Sequence, residues 1–177
     1  MKALISNWKY LIRRKRNNMN YNYYVIARVV HVIAVVLWIG GVGFVTTVLI
    51  PSIRKTQSPE NRLQLFETLE GTFSFQAKLT TLLAGISGAY MLQVMDAWHQ
   101  YSNPEFWWLH LMTFVWAIFT LVLFVLEPLF LHKWFHKQAI ENNDKAFQVL
   151  QIMHIILFSL SLFAIGGGIA GAHGLSF

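Results

Sequence analysis

Four long apolar runs, separated by shorter polar connections, leave this chain few ways to fold. They cover residues 24–50, 75–95, 106–130 and 149–172. A helix that crosses a bilayer needs about 20 mostly apolar residues, and each run meets or approaches that length. Backbone groups in lipid must pair within their own segment, so each run is expected to be a helix. Composition points the same way. Hydrophobic residues make up 55% of the 177 residues and charged ones 12%, where a soluble domain carries roughly 25% charged. A soluble chain of this size has too little interior to bury so much apolar surface. Disorder, a collagen-like repeat and a soluble dinucleotide-binding fold are excluded. No strand alternation and no internal repeat is visible. The expected fold is all-α, an antiparallel four-helix transmembrane bundle formed by residues 24–177. Residues 1–23 form a basic N-terminal segment.

The second run is the least apolar, with Lys78 near its start and Thr80, Thr81 and Ser87 inside. The stretch between the first two runs has its own signal. Ser58 followed by Pro59 suits a helix cap and first helical position, and Leu63, Leu65, Phe66 and Leu69 follow at near-helical spacing. That pattern predicts a short interfacial helix between helices one and two. The connection over residues 96–105 has no Lys or Arg, and residues 132–146, carrying Lys133, Lys137 and Lys145, read as a third loop. Trp98, Trp107, Trp108 and Trp134 sit at run ends, where indoles favour the headgroup region.

The formal charge of +6 reflects basic residues placed between apolar runs, a membrane pattern and not a nucleic-acid footprint. Six Lys or Arg residues precede the first run, and seven lie in the first and third connections with Lys78 included, so the positive-inside rule does not choose an orientation. Leu4, Trp8 and Leu11, followed by Arg13-Arg14-Lys15-Arg16, fit a basic interfacial helix; a start at Met19 is the competing reading. Cysteine is absent, which excludes disulfides, iron–sulfur clusters, thiolate metal sites and thioether-attached haem. No nucleophile triad, phosphate loop or paired carboxylate site is visible, which argues against a hydrolase or kinase.

Seven histidines carry the chemical signal. In an antiparallel bundle His31, His99, His110 and His173 converge on one membrane face. His132, His136 and His154 collect at the other, near Glu127. His31 lies about 10 Å into the first helix and His110 about 6 Å into the third, counted at 1.5 Å per residue. Imidazole is a common ligand for haem iron and copper, and two at similar depth on facing helices can clamp a b-type haem. Candidate ligands are His31 and His110, with His173 or His154 as replacements. Arg28, one turn before His31, is placed to meet a haem propionate, snorkelling to headgroups being the plainer alternative. Glycines in the first, second and fourth runs either make room for haem or let helices pack closely. Met91, Met95 and Met112 near the first face would suit copper(I), with ordinary apolar packing the default.

The stretch from His31 through Trp38-Ile39-Gly40-Gly41, with Pro51 at the helix exit and Gly85-Ile86-Ser87-Gly88 in the second run, resembles the copper-resistance protein D-like membrane family. The resemblance covers residues 24–95 and extends beyond them only as a hydropathy plan. It implies a small bundle of the bacterial inner membrane linked to copper handling, with haem-binding relatives. The leading expectation is therefore a membrane b-type cytochrome that exchanges electrons with quinone or a redox partner protein. Copper transport and a structural accessory subunit, homo-oligomeric or bound to partner helices, are the alternatives.

Overall fold

The structure is a computed structural model that describes residues 2–174, with side chains described from Tyr21 onward except that of His132. Among the described residues all regular structure is helical. Helix α1 (Lys2–Phe44) runs through a π-helical turn, Val45–Leu49, into α2 (Ile50–Thr56). Helix α3 (Pro59–Val94) follows after two residues. Two 3₁₀ turns, Trp98–Ser102 and Pro104–Phe106, lead to α4 (Trp107–Leu121). A π-helical stretch, Val122–Leu131, joins α4 to α5 (His132–Glu141), and α6 (Asn143–Ala172) completes the chain.

The π-helical turn has a local cause. Pro51 has no N–H, so the ladder cannot close normally around it. In the wider register of this turn, in which the Ile50 N–H reaches Val45 O, the carbonyl orphaned by Pro51 is that of Thr46. Gln151 on α6 supplies the missing donor: its Nε2 lies 2.7 Å from Thr46 O. Pro128 sits inside the second π-helical stretch in the same way.

The long helices pack against one another through a few close contacts. His31 meets Ala84 while Gly41 lies under Phe73, which sets α1 against α3. The Trp116 indole donates to Thr81 O, and Ser74 reaches Glu127, which sets α3 against α4 and its π-helical extension. Trp108 stands on Gly171 and Met112 on Gly168, pairing α4 with α6. Gly43 faces Phe158 and Thr46 faces Gln151, pairing α6 with α1. Trp38 and Phe119 meet across the middle with ring centroids 4.8 Å apart.

Two expected connections are instead helix. No separate interfacial helix lies between the first two runs, because its residues are the first turns of continuous α3. Ser58 and Pro59 do occupy the cap and first helical position, without a hydrogen bond from the Ser58 side chain to the helix. The expected loop at residues 132–146 is α5 and the start of α6, with Asn142 capping α6 by accepting from Lys145 N at 3.0 Å. The reason is shared packing. Phe66, Phe135 and Phe147 form a triangle with centroids 5.3, 5.7 and 5.5 Å apart. Arg62 closes the same end: its guanidinium donates to the carbonyls of Arg54, in the last turn of α2, and of Gln57 just after it, and pairs with Asp144 on α6 at 2.6 Å.

Three helical stretches, Tyr21–Thr56, Pro104–Leu131 and Asn143–Ala172, are long and apolar enough to cross a membrane. Helix α3, expected as a fourth crossing, is not among them. Its polarity is turned inward, however. Ser74, Thr80, Thr81 and Ser87 are buried, whereas Phe75, Leu79, Leu82, Leu83 and Ile86 are exposed.

Candidate functional site

The described histidines do not assemble a shared metal centre; among the described residues no three His, Cys, Asp or Glu side chains come together to hold an ion. His31 is half-buried and donates from Nδ1 to Ala84 O at 2.9 Å, with Ser87 Oγ at 3.2 Å. His110 is exposed and lies edge-on to Tyr101 at 5.3 Å. The two rings point different ways around their helices. His31 stands two turns before Trp38, on the inward face of α1. His110 stands two and a half turns before inward-facing Phe119, and therefore on the outer face of α4. His154 donates from Nδ1 to Leu150 O at 2.9 Å and sits opposite Thr46. That is about 22 Å along α1 from His31, so the two cannot share one iron. His173 and His99 are exposed and bond backbone carbonyls of their own segments, and Arg28 is also exposed. His136 pairs with Glu67, and His132 lies outside the described side chains.

Several of the glycines are covered by neighbours, whereas Gly40 and Gly166 are open. A methyl at Gly85 would lie 2.6 Å from the Trp116 indole, one at Gly43 2.9 Å from Phe158 and one at Gly167 2.9 Å from Trp107. These positions accept aromatic rings of facing helices. His31 and His110 have different neighbours, Ala84 and Ser87 for the one and Tyr101 for the other. Met112 packs on Gly168, Met91 is half-buried and Met95 is exposed, so the methionines form no common face.

Chemistry gathers instead at a cavity of about 110 Å³ between α1, α3, the Val122–Leu131 stretch and α6. Its walls are largely apolar, with Trp38, Phe66, Phe73, Phe119 and Trp134 among aliphatic side chains. Four polar side chains line it: Glu70 and Ser74 of α3, Glu127 and His154. Glu127 Oε1 accepts from Ser74 Oγ at 2.5 Å and from Lys78 Nζ at 3.1 Å. Trp38, 4% exposed, contributes an indole Nε1–H that has no hydrogen-bond partner. A buried donor without a partner costs about 1–3 kcal/mol, so a carbonyl in the cavity would relieve it.

Glu70 lies before the apolar stretch of α3, at its polar end. Burial, followed by the negative charges of Glu127 and Glu67, pushes its carboxyl up to about 7. Glu70 and Glu127 thus bring two carboxyl groups to the wall of one cavity, a grouping that the sequence did not reveal. The available signal was two opposite charges, Lys78 and Glu127, each inside an apolar run, where an ionisable side chain needs a partner.

Compared with family models, curated proteins and solved structures, the chain matches none.

Proposed function

We propose that the chain is an integral membrane protein in which α3 crosses the bilayer together with the three more apolar stretches, as an antiparallel four-helix bundle. The inverted polarity of much of α3 supports this: Ser74, Thr80, Thr81 and Ser87 are buried in the bundle, while Phe75, Leu79, Leu82, Leu83 and Ile86 face outward. A helix in a bundle can be less hydrophobic than a solitary span, because its polar side chains can bond across to neighbouring helices.

Within that bundle the cavity beside Glu127 binds a quinone-type ring, and the protein serves electron transfer between a quinone and a redox partner. The observation that carries this reading is the unpartnered Trp38 N–H in the wall of an apolar cavity that also holds two carboxyl groups. The volume is on the scale of a single six-membered ring. Trp38 donates to a ring carbonyl. Reduction of a quinone oxygen takes up a proton with each electron, and the carboxyl groups are the proton donors and acceptors that this requires. The electrons come from the redox partner.

Calorimetric titration of a short-chain quinone into the full chain in detergent tests the proposal. Saturable binding is expected, weakened up to about tenfold in Trp38→Phe, which keeps the ring but removes the donor. Absence of saturable binding removes the quinone reading, and unchanged affinity in both Trp38→Phe and Glu127→Gln removes this cavity as its site. A Soret band in the same preparation that disappears in His31→Ala would return the function to haem.

A further inference from the structure

The acid–base groups do not stop at the cavity. Glu67, Glu70, Ser74 and Lys78 follow one another on α3 at intervals of three, four and four residues, which places them on one face of the helix. At the outer end of this row Glu67 Oε1 meets His136 Nδ1 of α5 at 2.7 Å, with the His136 side chain 50% exposed. At the inner end Ser74 and Lys78 both hold Glu127. Glu70 stands between them, about 4.5 Å along the helix from Glu67 and about 6 Å from Ser74. It lines the cavity together with Ser74, Glu127 and His154. A second, independent feature marks the inner end as a ligand site: the buried Trp38 N–H without a partner in the same wall.

We propose that this row is a proton entry path. Protons are taken up at the exposed His136–Glu67 pair, pass to Glu70, and reach the Glu127 carboxylate and a ligand held beside it. His136 suits the entrance, since its half-exposed imidazole reaches water while its Nδ1 meets Glu67. Glu70 suits the relay, because its carboxyl is poised near neutrality by burial and by the flanking charges. Lys78, from within α3, counters the accumulated negative charge and holds Glu127 in place. His154 faces the same cavity from α6 and keeps its Nδ1 proton on Leu150 O, so that only Nε2 is left to exchange. Ordered water closes the gaps between side chains too far apart for direct transfer. The path rests on the reading of the cavity as the site of a proton-consuming ligand.

Infrared difference spectroscopy of the full chain in nanodiscs, without added quinone, tests the path after a pH jump. The carboxyl C=O band absent from Glu70→Gln reports Glu70. In the native chain it should appear rapidly on acidification. In Glu67→Gln and in His136→Phe it should appear at least about tenfold more slowly with its amplitude kept, and Glu67→Asp should recover much of the rate. Helical circular dichroism shows that each variant is folded, and His136→Gln replaces His136→Phe if the latter is not. Rates in the Glu67 and His136 variants equal to the native rate overturn the path. Since no ligand is present, slowed rates alongside failed quinone binding would sink the ligand reading and leave the path standing.

Discussion

At the scale of single residues, Glu70 sets the pH response. Its carboxyl is raised to about 7 by burial and by the charges of Glu127 and Glu67. The folded protein then holds that proton more tightly than the unfolded chain. The stability contributed is complete below the ordinary carboxylate range and is lost as pH rises through about 7. Glu70→Gln carries no such penalty. Near pH 4 the variant and the native chain should melt together in detergent, and near about pH 8 the variant should melt higher. Parallel melting curves across that window would mean that Glu70 is not buried among these carboxylates. Lys78 and Glu127 were legible in the sequence as ionisable groups inside apolar runs. Their pairing was not, because it depends on the register of α3 against the Val122–Leu131 stretch. His31 and His110 show the complementary limit. Counting residues gives depth in a bundle, but the direction of a side chain around its helix is fixed by contacts such as Trp38 on Phe119, which turn His110 outward.

At the scale of elements, helices here meet by placing a large ring on a glycine. Gly85 lies beneath Trp116, and an added methyl would stand 2.6 Å from the indole, whereas nothing lies within 4 Å of one added at Gly40. Gly85→Ala should therefore cost about 1–3 kcal/mol, as overpacking does, while Gly40→Ala should be neutral or slightly stabilising through helix propensity. Thermal unfolding of the two variants in one detergent separates them, and equal melting points would show that Trp116 does not seat there. The π-helical turn gives a second prediction. Gln151→Leu leaves the Thr46 carbonyl without its donor and should cost about 1 kcal/mol, the usual worth of an interhelical hydrogen bond in a membrane. In Pro51→Ala the backbone can supply its own N–H, so the same Gln151 change should cost less in that background. An undiminished cost would assign the Gln151 contact to something other than the carbonyl orphaned by Pro51. The positions of the long helices were readable from the apolar runs. The joining of α4 to α5, and of the expected interfacial segment to α3, was not. Those stretches are polar on average, and what keeps them helical is the meeting of Phe66, Phe135 and Phe147 from three distant parts of the chain.

At the scale of the molecule, the helices are longer than a membrane is thick. Helix α3 has 36 residues, about 54 Å at 1.5 Å per residue, against a hydrocarbon core of about 30 Å. The excess lies at one end, where α2, the start of α3, α5 and the start of α6 enclose a core of their own around Phe66, Ile53 and Phe147. The proposed proton entrance at His136 and Glu67 belongs to this extension, and the short 3₁₀ connection at Trp98–Ser102 belongs to the opposite end. If α3 crosses the bilayer, the two ends face different compartments. The chain has no native cysteine, so single cysteines report sidedness without background. Lys55→Cys and Lys145→Cys should be labelled by a membrane-impermeant maleimide from one side of sealed vesicles, and Ser102→Cys and His173→Cys from the other. Each of these positions is exposed, so the reagent reaches it unless the bilayer intervenes. Labelling of Lys55→Cys and Ser102→Cys from the same side would mean that α3 does not cross. Glu127 and Lys78 would then pair at a water boundary, where a surface ion pair is worth about 0–1 kcal/mol and needs no functional reason, and both the quinone site and its proton path would lose their membrane setting.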